Sequence, residues 1–136
     1  MPRFDKSNFT ELKAFLYNCY GHDAKMERVN TDYENERIEI SLFNPYFGVK
    51  MVYTFCGVEF ILSLKGDWHG NRKEIIGVTV EDDFSYLETY LPNHKQYNKD
   101  SLYLLFQMFS GDELHIVSKE VSIEIVSGRN HTSNAK

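Results

Sequence analysis

The sequence has 136 residues, which fits one domain, and 42% of them are hydrophobic, enough to build a core without metal or disulfide. Aromatic residues make up 15%, which excludes the aromatic-poor composition of disordered chains. With 20 acidic and 15 basic side chains the net charge is −5, so nucleic acid is not an expected partner. A basic protein is a more natural partner for an acidic chain.

The cysteines and the N-terminus indicate the compartment. Cys19 and Cys56 are too few for a disulfide framework and too far apart for a zinc knuckle, so we expect reduced, buried thiols. The first residues, Met1 to Lys6, lack the apolar segment of a secretion signal, and no later run is long enough to span a membrane. The sequence predicts a cytoplasmic protein with no membrane contact and no cofactor.

One amphipathic helix is predicted between Ser7 and Tyr20, with Ser7 or Asn8 as its N-cap and Gly21 as its stop. Beyond it, apolar residues alternate with polar ones, which is typical of strands. The predicted strands of this half are Lys25 to Thr31, Ile38 to Leu42, Val49 to Phe55 and Val58 to Leu64, with a turn or bulge at Cys56-Gly57.

The next segment combines a clear strand with an ambiguous one. Alternation from Ile76 to Val80 predicts a strand that ends at the acidic turn Glu81-Asp82-Asp83. Phe84 to Leu91 fits a short helix or an irregular segment, because its apolar residues have helical spacing and Pro92 ends the run.

Leu102 to Phe109 is apolar on both faces and also satisfies helical spacing. We interpret it as a buried central strand, because turn residues follow at Ser110 to Asp112 and two alternating segments come next. Those segments, Leu114 to Val117 and Val121 to Val126, indicate a terminal meander.

These elements predict an α+β fold, in which the N-terminal helix packs on a predominantly antiparallel sheet or flattened sandwich of about seven to eight strands. The single domain covers residues 1–126, and the polar tail 127–136 is expected to fray. Strand order and oligomeric state do not follow from the pattern.

The histidines and thiols have both chemical and structural interpretations. His22-Asp23 matches a metal-binding dipeptide of phosphohydrolases, but we expect the pair to cap or pin the junction between helix and strand. Cys56 lacks a neighbour that would lower its pKa, which favours core packing over a nucleophile. The sequence therefore predicts no metal site and no catalytic residue.

Loop residues are the candidate partner-binding residues. Trp68 is the only tryptophan and lies beside Asp67 in a polar loop, a setting in which an aromatic side chain either anchors an interface or covers the end of the sheet. Glu81, Asp82 and Asp83 form either an acidic contact or a solvated turn. Tyr46, Phe47, Tyr86 and Tyr90 fit both interpretations.

Several segments resemble small bacterial families of uncharacterised and immunity-type proteins that accompany polymorphic or contact-dependent toxins. The residues that carry the resemblance are Tyr20 to Asp23, Ile38 to Leu42, Val58 to Leu64, Phe109 to Ile116 and Val121 to Ile125. The resemblance covers roughly residues 9 to 126 and implies a short, acidic binding protein. It supplies no active site and no cognate toxin.

Three functions are compatible with these observations. The first is a non-enzymatic protein-binding domain, in the form of an immunity protein that neutralises a basic toxin. The second is a small-molecule-binding or accessory domain with an apolar pocket in its curved sheet. The third is an enzyme whose site is assembled from distant residues, such as His22, His69 or His115 with carboxylates.

Overall fold

The computed structural model describes residues 2–18, 20–66, 75–90, 98 and 100–127. These residues contain helix α1 (Phe9–Asn18) and the single-turn helix α2 (Ser85–Glu88). The strands are β1 (Arg3–Asp5), β2 (Lys25–Asp32), β3 (Arg37–Asn44), β4 (Val49–Leu64), β5 (Ile75–Val80), β6 (Leu102–Met108) and β7 (Glu113–Ser127).

All seven strands belong to one sheet in which every pairing is antiparallel. The strand order is β2-β3-β4-β7-β6-β5, and β1 pairs with the second half of β7 beside the start of β6. This confirms the predicted α+β class with a mostly antiparallel sheet. The flattened sandwich is not observed, because β4 and β7 run unbroken through the middle of a single sheet.

β4 and β7 are each one long strand where the pattern predicted two. Cys56 pairs with Glu120, and Val58 pairs with Ser118, so the two polar interruptions of the sequence lie opposite each other. Gly57 has a φ of +66°, and the register shifts by one residue just after it, between Val58 and Phe60, so pairing continues on both sides of this β-bulge. The predicted breaks at these positions are therefore wrong, and the bulge predicted at Cys56-Gly57 lies just after it, between Val58 and Phe60.

Its positive φ and the nearby Lys119 side chain make Gly57 a sensitive position. A Cβ atom there would lie 3.0 Å from three side-chain carbons of Lys119, and the positive φ is unfavourable for an L side chain. Gly57→Ala should lower the free energy of unfolding by about 1–2 kcal/mol, measured by urea titration. Gly77→Ala is the matched control, because nothing lies within 4 Å of its added methyl group; equal losses in both variants would contradict the role of the positive φ and the Lys119 contact at Gly57.

The sheet curves until its two outer strands meet at one end. The amide of Asp23 donates to the carbonyl of Ile75 at 2.9 Å, and the amide of Ile75 donates to the carbonyl of Ala24 at 2.7 Å. The concave face holds the main core, which Leu12 and Leu16 of α1 close. Its largest fully buried members are Tyr53, Phe55, Phe106, Ile40, Leu42 and Met51.

The start of α1 differs from the prediction. A 3₁₀ turn over Lys6–Asn8 leads directly into the helix, and Asp5 is its N-cap. The Asp5 carboxylate accepts from the amide of Ser7 at 2.8 Å, and Asn8 Oδ1 accepts from the amide of Asp5 at 2.7 Å. The predicted cap at Ser7 or Asn8 is therefore wrong, because the extra turn moves the cap toward the N-terminus.

The convex face carries a second, smaller core beneath α2. Phe84, Leu87, Tyr103, Leu105 and Val117 form it, with Phe60 and Leu62 packed alongside. β6 is therefore covered on both faces, which confirms the predicted buried strand and explains why periodicity alone could not identify it. In the ambiguous segment after β5, residues 85–88 are helical.

Candidate functional site

Two of the five predicted contact residues, Trp68 and Asp67, lie outside the described residues, as does His69 of the enzyme hypothesis. The other three, Glu81 to Asp83, form the exposed connection between β5 and α2. The site can therefore be built only from this acidic turn and the described surface around it.

Two carboxylates of the turn accept hydrogen bonds from their own neighbourhood. Glu81 Oε2 accepts from the hydroxyl of Thr79 at 2.8 Å. Asp83 Oδ1 accepts from the amide of Ser85 at 2.9 Å, at the start of α2. Hydrogen bonds from the backbone and side chain of Ser85 hold the pKa of Asp83 below its usual value. Both groups therefore have local structural partners, and Asp83 stays ionised at neutral pH.

The third carboxylate connects the turn to α1. Asp82 Oδ2 lies 3.6 Å from Lys13 Nζ, with both side chains largely in solvent. Such an exposed pair adds little stability. Its consequence is positional, since it places the acidic turn beside the exposed face of the helix that carries Lys13.

Several exposed aromatic side chains continue this exposed face toward the end of α1. Tyr17 lies one helical turn after Lys13 and is 88% exposed. Tyr20 follows three residues later, and its ring centroid lies 5.2 Å from that of Phe47 in the turn between β3 and β4. Tyr46 directly precedes Phe47 in that turn. We call these residues, together with Lys13 and the acidic turn 81–83, the α1 surface.

Buried Asn44 holds the aromatic end of the α1 surface in place. Its amide donates to the carbonyls of Tyr20 at 2.9 Å and His22 at 3.1 Å. Its Oδ1 accepts from the amides of Tyr46 at 2.9 Å and Phe47 at 3.3 Å. Four hydrogen bonds from one side chain thus join the two segments that carry the exposed rings, and the backbone of both segments is fixed without a partner.

The histidine pair of the sequence lies where this junction is made. His22 Nδ1 is 3.0 Å from Asp23 Oδ2 on an exposed part of the surface. The backbone of the pair makes the hydrogen bonds that fix this junction. The carbonyl of His22 accepts from the Asn44 side chain, and the amide of Asp23 donates to the carbonyl of Ile75. The structure therefore places the dipeptide at the junction of helix and strand, as expected for a pin.

Sequence reasoning did not find a buried polar network on the convex face. His115 is fully buried, with Tyr103 Oη 2.7 Å from its Nδ1 and Glu113 Oε1 3.0 Å from its Nε2. Tyr86 donates to Glu113 Oε2 at 2.6 Å, and Tyr90 donates to the Tyr86 hydroxyl at 3.2 Å. An ionised Glu113 only accepts, so the His115 proton lies on Nε2 and Tyr103 donates to Nδ1.

Burial favours the form of this network in which His115 and Tyr86 are neutral and hydrogen-bonded. Desolvation lowers the pKa of His115, while the hydrogen bond and charge of Glu113 oppose that effect. Desolvation and the bond to Glu113 raise the pKa of Tyr86. The tyrosine rings also contact the imidazole, with centroids of Tyr86, Tyr90 and Tyr103 5.7–5.8 Å away. Both imidazole nitrogens are hydrogen-bonded and three tyrosine rings pack around the ring, which fits a structural role better than a catalytic one.

Period-two alternation could have indicated this network. It places Glu113, His115 and Val117 on the face opposite Leu114 and Ile116. The sequence pattern did not show that α2 returns to cover that face. Among the described residues, no two histidines share a carboxylate and no group of His, Cys, Asp or Glu could hold a metal ion.

Two further observations concern the remaining predictions. Cys56 is reduced and half-buried on β4, whereas full burial was predicted, and Cys19 lies outside the described residues. Within the described ranges, no helix combines the length and apolarity needed to cross a bilayer.

No protein-family model matches the chain, and no curated protein is significantly similar to it.

Proposed function

We propose that this chain is a non-enzymatic protein-binding domain whose α1 surface binds a basic protein. The observation that carries the proposal is the pair Tyr46 and Phe47, 72% and 67% exposed and yet held at their backbone by buried Asn44. Large exposed rings contribute nothing to the core of the free domain. They are the side chains that supply most of the binding energy in protein interfaces.

The way the rings are held favours recognition. A tyrosine or phenylalanine loses little rotamer entropy when it binds, and a fixed backbone removes the cost of ordering the turn. Clustered exposed apolar side chains on a single chain mark interaction sites more often than isolated ones do. Tyr20 and Phe47 are already in ring contact, so part of the cluster is formed in advance.

Charge indicates the kind of partner. The α1 surface carries three carboxylates at one end, of which Asp82 has a lysine nearby, and the whole chain has a net charge of −5. Such a surface accelerates association with a positively charged protein and disfavours an acidic one. Because the sequence resembles immunity-type proteins, a basic toxin encoded beside this chain is the first partner to test.

The test compares two aromatic surfaces of equal exposure. The purified toxin neighbour is titrated with wild-type protein and with the double variant Tyr46→Ser/Phe47→Ser by calorimetry. We expect binding of the wild type and a loss of about 100-fold in affinity for the variant, because two interface rings are removed. Tyr33→Ser is the matched control, since Tyr33 is 78% exposed in the turn after β2, and it should bind within about twofold.

Two results would contradict the proposal. One is unchanged affinity of the double variant, which would place the interface elsewhere. The other is equal weakening by Tyr33→Ser, which would show a general loss of solubility or fold. Circular dichroism of all three proteins separates a folding defect from an interface defect.

A further inference from the structure

The sheet has an open edge where β4 continues beyond the start of β3. In the described part of the chain, β7 pairs with β4 along its whole length, whereas the pairing with β3 stops at Cys56. Just beyond it, the amide of Val58 donates to the carbonyl of Glu36 at 2.9 Å, and a cavity of about 340 Å³ borders the next residues. Among the described strands, residues 59–64 of β4 therefore have a neighbour on one side only, and we call this segment the β4 edge.

The β4 edge is apolar on both faces. Ile61 packs against the main core, and Phe60 and Leu62 pack against the smaller core on the convex face, yet all three side chains are only half-buried. The one charged residue of the segment, Glu59, is engaged within the fold, because its carboxylate accepts from the hydroxyl of Ser101 at 3.0 Å. An extended apolar strand edge of this kind is a template for pairing with another strand.

β2, the outermost strand beside β3, has protection that the β4 edge lacks. Four of the eight residues of β2 are charged, and a β-bulge between Met26 and Arg28 shifts its register. Charged side chains and bulges are the means by which sheet proteins prevent unwanted pairing at their edges. The contrast between these two edges of one sheet indicates that the fold resists pairing at β2 and accommodates it at the β4 edge.

We propose that the β4 edge pairs antiparallel with the β4 edge of a second copy of this chain, across a twofold axis at Leu62. Side chains of one face must stay opposite side chains of the same face, so one residue of the strand lies opposite its own copy. A centre at Ile61 would bring Leu64 of the partner subunit beside Val58, where Glu36 already bonds. A centre at Leu62 avoids this conflict and sets Phe60 opposite the partner's Leu64.

Charge complementarity favours a second copy as the occupant. The register brings Lys65 of the partner subunit to the turn of residues 33–36, which carries Glu34 and Glu36, and all three side chains are exposed. The contact is made twice, once on each side of the axis, because a twofold interface repeats every contact. Residues 60–64 are uncharged, so no like charges lie opposite each other. This dimer is independent of the α1 surface and of its partner.

Sedimentation velocity of the purified chain over a range of concentrations tests the dimer. We expect a Kd of about 10–100 µM, because one pair of short edge strands is a small interface. Lys65→Glu brings a carboxylate to the acidic turn and should weaken self-association about tenfold. Lys25→Glu is the matched control, since it changes an exposed lysine on β2, and it should leave self-association unchanged. A chain that stays monomeric at about 1 mM, or equal weakening by both variants, would overturn the proposal.

An exchange of charges tests the register. Glu34→Lys/Glu36→Lys should also weaken self-association about tenfold, because its turn repels the partner's Lys65. An equimolar mixture of this variant with Lys65→Glu should associate as tightly as wild type, since both contacts of the mixed dimer then join opposite charges. In ¹⁵N-labelled wild-type protein, dilution should shift the amides of residues 33–36 and 59–65. A mixture that stays as weak as its components, or shifts confined to residues 25–32, would overturn the proposal.

Discussion

Asn44→Ala should lower the free energy of unfolding by about 3 kcal/mol, because it deprives four backbone groups of their partner in a buried position. The carbonyls of Tyr20 and His22 lose a donor, and the amides of Tyr46 and Phe47 lose an acceptor. Urea unfolding followed by circular dichroism measures the change. The same variant should weaken partner binding, because the rings of the α1 surface lose their fixed backbone.

Two matched variants make this prediction specific. Asn44→Asp keeps the acceptor for the turn amides but sets a buried carboxylate against the carbonyls of Tyr20 and His22, so its loss at neutral pH should be at least as large as that of Asn44→Ala. Asn35→Ala removes an exposed asparagine that bonds Asp32 in another turn, and it should cost about 0.5 kcal/mol or less. A loss at Asn35 as large as at Asn44 would contradict the special role of Asn44.

His115→Phe should also be strongly destabilising, by about 2–4 kcal/mol at pH 7.5, because Tyr103 and Glu113 would each lose a buried partner. This loss should depend on pH. Burial lowers the pKa of His115 in the folded state, so the unfolded chain, with a value near 6.5, binds the proton more readily. The neutral imidazole therefore stabilises the fold fully above pH 6.5 and progressively less as the pH falls below it.

Two measurements check the pH dependence. Imidazole ¹⁵N shifts report the pKa of His115 directly, and it should lie below 6.5 in the folded protein. Urea unfolding between pH 5 and 8 should show that the stability gap between wild type and His115→Phe narrows toward acid. Gly77→Ala serves as the control, because it removes no titratable group and nothing lies within 4 Å of its added methyl group, so its stability gap to wild type should not change with pH. A folded-state pKa above 6.5 would contradict the argument.

Variants of the His115 network and variants of the α1 surface should behave differently in binding experiments. The network around His115 is closed on itself, so its variants should change stability and leave the affinity of the α1 surface unaltered in protein that remains folded. Variants of Asn44 should change both stability and affinity, because the Asn44 side chain joins the two exposed segments that carry the rings of the α1 surface. Stability and affinity measured on the same variants therefore distinguish a packed polar core from a binding surface.

Local pattern was sufficient for most of the elements. Period-two alternation located the strands from Ile38 onward, helical spacing located α1, and turn residues located the connections at 33–36 and 110–112. These properties are local, since they depend on side chains that lie within a few positions of each other. The acidic turn was located in the same way, because charged residues mark a chain reversal at the surface.

Only the tertiary structure decided what depends on residues far apart in sequence. Polar residues at 118–120 indicate a break when read alone, but pairing with residues 56–58 of β4 makes them part of one strand. Asn44 is an ordinary turn residue until Tyr20 and His22 lie beside it, and His115 is an isolated histidine until α2 brings Tyr86 over Glu113. Hydrogen bonds and burial between distant segments leave no periodic signature in the chain, and for that physical reason the sequence determined the strands while the fold determined the sites.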